Sequence, residues 1–257
     1  MSGPSTPDAS VGGAGDTPGP LVPLDTIPPW LRSLAADVDA VTSAVENRGG
    51  DRTRFLAALK PNRRAAAVLI AMTGSFGADS TPPDDAAVLL TQRANTLRNH
   101  AGQVAFPGGA RDPGDDWPIG TALREATEET GLVATDVTPV ARLRSFPVPP
   151  SGFDVIPVVA WSPHPTPVRV VDTAETARVV RVPIRDLLDP DHRFQVQRSV
   201  MGGRVYRGPA FAVEGMLVWG FTGGLLAALF DAAGWTRPWD LDDIRELNDE
   251  LTKVGQR

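Results

Sequence analysis

The chain contains no cysteine. Disulfides, thiolate metal sites and cysteine nucleophiles are therefore excluded, and a reducing cytoplasm is the expected compartment. A secretory leader is not expected either. The first residues are rich in Gly, Pro, Ser and Thr with acidic residues, and no charged start precedes an apolar run. A basic excess is also missing. The net charge of -6 argues against a general nucleic-acid surface or an anionic-membrane surface. Long hydrophobic runs are absent: the most apolar stretch, residues 216–233, is short for a membrane span and is interrupted by Gly220, Gly223, Gly224 and Asp231. It reads as a buried helix. No serine sits in a Gly-x-Ser-x-Gly elbow, so a Ser-His-Asp hydrolase is unsupported. His164 and His192 lie near prolines and aspartates in loops and read as surface residues.

What remains is an ordinary globular composition, 42% hydrophobic and 22% charged over 257 residues, enough for a sizeable core. Residues 1–24 cannot bury enough apolar surface to offset their chain entropy, which predicts a disordered tail. Residues 25–60 read as a helical packing arm. Its first helix starts at Pro28 with Leu34, Val38, Val41 and Val45 on one face, a further helical piece spans 54–60, and Trp30 serves as a core or interface anchor. Residues 61–257 form the main domain. Strands are expected at 64–73 and 86–92, joined as a hairpin with a long, acidic, mobile tip, and at 103–106, 137–146, 153–161, 177–184, 194–197 and 205–206. Late helices are expected at 217–233 and 241–251. Mixed strands, one helix after a Gly-Gly turn and a late helix predict an α/β sandwich.

The chain is organised around residues 87–132. A helix is predicted from near Asp115 or Asp116, with Pro118 in its first turn and Gly131 as its stop. Ile119, Ala122, Leu123 and Ala126 recur at helical spacing as the buried stripe. Glu125 lies three residues from Glu128 and four from Glu129, so the three carboxylates share the other face. Arg124 is placed to pair with one of them, and the remaining negative charge suits a hard divalent ion such as Mg²⁺, which takes oxygen ligands. A Glu-Glu pair alone would read as a solvated acidic face; here the glycine loop, the cap and the arginine occur together. Gly108 and Gly109 allow the backbone to approach a metal or phosphate closely.

The run Arg124-Glu125-Ala126-Thr127-Glu128-Glu129-Thr130-Gly131-Leu132 resembles the Nudix box, whose pattern is Gly, a short acidic loop, then R-E-apolar-x-E-E-x-G-apolar. Asp116 stands where the commonest box has Glu, and the spacing from Gly109 to Arg124 is one residue longer. Both features look like the coenzyme A pyrophosphatase branch. That branch also carries an upstream signature, matched by Leu89-Leu90-Thr91-Gln92-Arg93 and by residues 97–109, LRNHAGQVAFPGG. The resemblance covers about residues 60–230. It implies a Nudix-type α/β/α sandwich with a mixed central sheet. It also implies a catalytic set of Arg124, Glu125, Glu128 and Glu129, with Mg²⁺ or Mn²⁺ on Glu125, Glu128 and Glu129 and a further metal contact from a backbone carbonyl around Gly109 or Ala110.

Arg93, Arg98, His100 and Gln103 lie just before the glycine turn. Arginine presents a planar fork suited to phosphate, and histidine adds a donor. Singly, each also reads as a solvated surface residue. Within the upstream signature they are expected, with Gly108 and Gly109, to bind the 3′-phosphate or pyrophosphate of a coenzyme A-like substrate. Ser151-Gly152-Phe153 resembles a loop near the substrate, without direct contact, and Glu175 is the best loop carboxylate for a general base outside the helix. The expected reaction is metal-assisted hydrolysis of coenzyme A or acyl-CoA to 3′,5′-ADP and the phosphopantetheine product, with Glu128 as another proton acceptor. The expected partner is a small nucleoside diphosphate derivative, with no nucleic acid and no membrane, and a homodimer is compatible with the sequence. Rival readings are a Nudix hydrolase of another nucleoside diphosphate such as ADP-ribose, a non-catalytic Nudix-fold sensor, and an interaction protein suggested by the Pro-rich tail and the arm.

Overall fold

The structure, a computed structural model, describes residues 17–49, 63–97, 100–148, 151–200 and 203–256. In chain order, strand β1 (Gly19–Pro20) precedes helices α1 (Pro29–Ala36) and α2 (Val38–Gly49). Strands β2 (Arg64–Thr73), β3 (Ala87–Arg93), β4 (Val104–Ala105) and β5 (Gly108–Ala110) lead into helix α3 (Ile119–Thr130). Then come β6 (Thr138–Arg142), β7 (Phe146–Val148), β8 (Phe153–Ser162) and β9 (Thr176–Pro183). Helix α4 (Ile184–Leu187), β10 (Arg193–Val200), β11 (Arg204–Val213), β12 (Met216–Val218), α5 (Gly220–Ala232), β13 (Ile244–Glu246) and α6 (Leu247–Lys253) complete the chain.

β2 is the hub because its run Ala-Ala-Ala-Val-Leu-Ile-Ala-Met is apolar on both faces, which suits a strand covered from two sides. It pairs in parallel with β8 over the full ten residues and antiparallel with β5, and touches β3 only at Met72 and Thr73. The sheet is thus mixed. Side chains alternate between its two faces. Ala67, Leu69 and Ala71 of β2, with Val158 and Ala160 of β8, bury against Ala122 and Ala126 of α3. Ile70 and Met72, with Val159, face the opposite core, which holds Trp30 and Leu34 of α1, Val41 of α2, and Leu226 and Phe230 of α5. Helices on both faces of a mixed sheet give the expected α/β/α sandwich. Among the described residues no helix is long and apolar enough to cross a membrane.

Several expectations need correction. Residues 86–92 hardly form a hairpin with β2, because β3 pairs along its length with β9 instead. The loop between them is pinned rather than mobile. The indole N–H groups of Trp161, Trp30 and Trp235 donate to the carbonyls of Gly74 (3.1 Å), Ser75 (3.2 Å) and Ser80 (3.0 Å), and Asp85 accepts from the Ser75 N–H and hydroxyl. Trp30 itself is fully buried in the core. The arm's first helix breaks at Asp37, whose carboxylate accepts from the Ala40 N–H at 2.9 Å and so starts α2. The helical piece expected at 54–60 lies outside the described residues. Residues 216–233 are not one helix: Met216–Val218 pair with β11, Gly220 turns the chain at φ 67°, and only then does α5 begin. Likewise residues 244–246 are a strand parallel to β10, and the last helix starts at Leu247. Together β12, β11, β10 and β13 make a second, four-stranded sheet that periodicity did not reveal.

The tail also departs from its composition. Residues 1–16 lie outside the description, but Gly19 and Pro20 pair with Arg142 and Ala141, the Leu21 N–H donates to the Val140 carbonyl at 2.9 Å, and Val22 packs on the main core. A deletion through residue 18 should leave the melting temperature unchanged. Deletion through Pro23 should lower it by roughly 5 °C, since it removes two half-buried apolar side chains and an edge pairing, on the order of 2 kcal/mol. Thermal melts of the two truncations check this; equal melting temperatures would make β1 incidental.

Candidate functional site

Helix α3 is fixed by its two faces and its end. Thr121, Ala122, Ala126 and Thr130 are buried, with Ile119 and Leu123 packed beside them. Gly131 closes the helix in the left-handed conformation (φ 66°), its N–H donating to the Thr127 carbonyl at 2.9 Å, as expected of a glycine stop. The start is later than expected. Pro118 precedes the first turn instead of lying within it, after a cis Trp117–Pro118 bond.

Arg124 does more than orient one glutamate. Its Nη1 donates to Glu125 Oε1 (3.0 Å) and Glu128 Oε2 (3.1 Å), and Nη2 donates to the Ala110 carbonyl (3.1 Å). Nε and Nη2 grip both oxygens of Asp115 at 3.1 and 3.0 Å. Asp115 also accepts from the Asp112 N–H and the Thr121 hydroxyl. The Arg124 guanidinium and these donors hold its carboxyl well below the usual carboxylate range. The loop carboxylate that serves the helix is therefore Asp115; Asp116, the residue aligned to the box, is exposed. Asp115 was visible only as a helix-start residue, because spacing alone does not tell which of two adjacent aspartates turns inward.

The two glycines have separate tasks. At Gly108 (φ 159°) a Cβ would lie 2.4 Å from the Ala67 carbonyl oxygen and 2.6 Å from Val68 Cα. At Gly109 it would lie 2.5 Å from Glu125 Oε1, so the carboxylate rests directly on the glycine backbone. The Leu69 N–H donates to the Pro107 carbonyl and the Arg111 N–H to the Ala65 carbonyl. By antiparallel alternation Gly109 bonds into the β2 ladder, while residues 108 and 110 present their polar groups toward α3. The Gly108 N–H accordingly donates to Glu129 Oε2 at 3.4 Å. The carbonyls expected to reach a metal are thus already engaged, Gly109 by the ladder and Ala110 by Arg124.

Glu129 is shifted in the opposite direction from Asp115. Burial, then the charge of Glu125, pushes it up to about 7, against the Gly108 N–H and the Arg93 guanidinium, with Glu175 adding to the rise. Glu125 is also raised, chiefly by burial, although Arg124 opposes. Glu128 is exposed. Among the described residues no three acidic or imidazole side chains form a preformed metal cage. The donor set nevertheless fits a hard divalent ion: two half-buried, oxygen-only ligands repel each other, and Mg²⁺ of this kind completes its shell with water and substrate phosphate.

The loop before the glycine turn comes to the same place. Arg93 and Glu175 both act on Glu129, and the Ala94 N–H donates to the Glu175 carbonyl at 2.8 Å. Arg93 Nε is buried and makes no hydrogen bond among the described residues. His100, exposed and in the left-handed region (φ 58°), donates through Nδ1 to Gln103 Oε1 at 2.8 Å. Arg98 lies outside the described residues. Ser151 closes its turn on itself, its hydroxyl donating to the Val148 carbonyl. His164 is exposed, and His192 Nδ1 donates to the Asp186 carbonyl, both consistent with surface roles.

Comparison with known proteins places the chain in a family. The family pattern described as NUDIX domain matches residues 63–201. Two curated relatives, each called uncharacterized Nudix hydrolase NudL, come from Yersinia pestis (strain Pestoides F) and Yersinia pseudotuberculosis serotype O:1b (strain IP 31758). Each is 38% identical over 144 residues, covering 55% of this chain and 70% of the relative. Among solved structures, the Nudix hydrolase RenU from M. smegmatis is 27% identical and aligns over 49% of this chain and 73% of its own, with a TM-score of 0.39.

Proposed function

The chain belongs to the Nudix family, and from that premise we propose that it hydrolyses the pyrophosphate bond of coenzyme A or an acyl-CoA, giving 3′,5′-ADP and phosphopantetheine or its acyl ester. The broader activity is that of a Nudix pyrophosphohydrolase acting on a nucleoside diphosphate derivative with a divalent metal ion. One observation carries the finer reading. Arg93 acts on Glu129, which also accepts from the Gly108 N–H, and the Arg93 N–H is bonded to the Gln103 carbonyl, so a phosphate-binding guanidinium adjoins the carboxylates at the foot of the segment that carries His100 and Gln103.

Glu125 and Glu129 would hold the ion, with Glu128 the outer carboxylate of the set. Mg²⁺ or Mn²⁺ supplies neutralisation of the diphosphate charge and an acidified water when bound. Arg124 keeps Glu125 and Glu128 in fixed positions while Asp115 anchors Arg124 itself. Arg93, whose Nε is buried, offers its guanidinium to a phosphate oxygen. Glu175, which acts on Glu129 yet is exposed, is assigned to take the proton of the attacking water, with Glu128 the alternative.

A panel of coenzyme A, acyl-CoA esters, ADP-ribose and nucleotide sugars with Mg²⁺ or Mn²⁺ tests the reading. Release of 3′,5′-ADP from coenzyme A at the highest kcat/KM is expected; a preference for ADP-ribose would transfer the chain to the rival substrate class, and no turnover on any would favour a sensor. Within coenzyme A hydrolysis, Arg98→Ala should raise KM for coenzyme A about tenfold and for dephospho-coenzyme A far less, since only the former carries the 3′-phosphate. Equal changes would remove the 3′-phosphate assignment.

A further inference from the structure

The segment following α6 lies against the substrate loop, and its polar groups are specific to it. Gln256 is only 3% exposed, and its side-chain amide is fully engaged. Oε1 accepts from the Leu217 N–H at 2.6 Å, while Nε2 donates to the Gly102 carbonyl at 2.6 Å and reaches the Leu217 carbonyl at 3.4 Å. One residue earlier, the Gly255 carbonyl accepts from Asn95 Nδ2 at 3.4 Å. Adjacent residues therefore hold both flanks of the loop, at Asn95 and at Gly102. Gln256 is itself fixed, since its N–H donates to the Leu251 carbonyl at 2.9 Å.

The loop needs such a hold. Its neck closes with the Arg93 N–H donating to the Gln103 carbonyl at 2.9 Å, but His100 (φ 58°) and Gly102 (φ 69°) both occupy the left-handed region. For His100 that conformation is disfavoured and persists only where surroundings over-determine it. A buried amide that satisfies donor and acceptor together makes a rigid link, and losing it strands the Gly102 carbonyl and the Leu217 N–H. The link also ties the loop to β12, and so to the second sheet.

We propose that Gln256 is a positioning residue for substrate: by locking Gly102 to β12 it sets the placement of His100 and Gln103, and so governs diphosphate affinity instead of the chemical step. This rests on the reading of Arg93, His100 and Gln103 as substrate-binding residues.

The test uses the full chain with Mg²⁺ and coenzyme A. Gln256→Met keeps volume and removes the hydrogen bonds. Gln256→Asn keeps the amide but shortens its reach, so it weakens the link to Gly102 without burying a charge and serves if the first variant does not fold. Either should raise KM about tenfold, with kcat within about twofold. Amide exchange at Gly102 and Gln103 should accelerate while Ala122 and Ala126 in α3 stay protected. An unchanged KM, even with faster exchange, would overturn the proposal and leave Gln256 a packing residue; so would a fall in kcat at constant KM. If the wild-type chain spares coenzyme A but cleaves another diphosphate, the substrate reading fails, and KM for that diphosphate decides the role of Gln256.

Discussion

Replacing Glu129 by Gln should lower kcat at least ~100-fold, the scale of losing charge stabilisation at a transition state, while the protein still folds. Glutamine keeps the shape and removes the charge, and the burying face of α3 is supplied by Ala122, Ala126 and Thr130, which the substitution does not touch. Glu125→Gln should act similarly, because that carboxylate sits on Gly109 beside it. Stability gives an independent reading. Glu129 is pushed up to about 7 from an ordinary 4.5, so between these values the folded, metal-free protein binds more protons than the unfolded chain. Stability then falls as pH rises across that window, by on the order of 3 kcal/mol in all, and the penalty is fully present above pH 7. Denaturant titrations without metal should show this slope for the wild type and a clearly shallower one for Glu129→Gln, in which the raised Glu125 remains, leaving the variant the more stable at neutral pH. Mg²⁺ should stabilise the wild type and not the variant. Unfolding of the variant would make Glu129 structural, and normal turnover would move the active site elsewhere.

How much of this was legible follows from how local each feature is. The helix α3 was readable because Ile119, Ala122, Leu123 and Ala126 repeat within a few residues and Gly131 has a stopping chemistry of its own. The shared face of Glu125, Glu128 and Glu129 follows from helical spacing alone. The depth of each does not. Glu128 is exposed while Glu129 is half-buried against the Gly108 N–H, and that difference is set by where β5 crosses the helix. Asp115, the anchor of Arg124, escaped because the turn between Gly109 and Ile119 decides which aspartate faces inward. Gln256 carried no local signal at all: its partners are 39 and 154 residues away.

The fold shows the same division. Apolar runs announced β2 and β8, but their parallel pairing over ten residues is a long-range fact that no window contains. Residues 216–233 read as one helix because continuous hydrophobicity has no period to separate a buried strand from a buried helix. Gly220, at φ 67°, marks the break, whereas in the sequence a glycine there reads only as an interruption of a membrane span. Strand β1 was hidden by composition: a Gly-Pro pair has little to bury, yet the exposed edge of β6 supplies ready partners.

Gly109→Ala should cost about as much activity as removing Glu125, on the order of 100-fold in kcat, with stability changed by less than about 1 kcal/mol. A Cβ at this position would stand 2.5 Å from both the Glu125 carboxyl carbon and Oε1, inside any real contact distance. The β5 backbone cannot retreat, because residues 108–110 pair with β2. Helix α3 cannot either, because Ala122 and Ala126 are fully buried on the sheet. The movable part is the end of the Glu125 side chain, so it swings off the glycine and away from Glu129. Gly109 does not need a left-handed backbone, which is why folding should survive. Gly108→Ala makes the contrasting control. There the added Cβ meets main-chain atoms of Ala67 and Val68 at φ 159°, so the strand itself must separate and melting temperature should fall together with activity. Melting curves, kcat and Mg²⁺ titration of the two variants separate the cases. An active Gly109→Ala protein would mean that Glu125 works from a position other than the one it holds over the glycine.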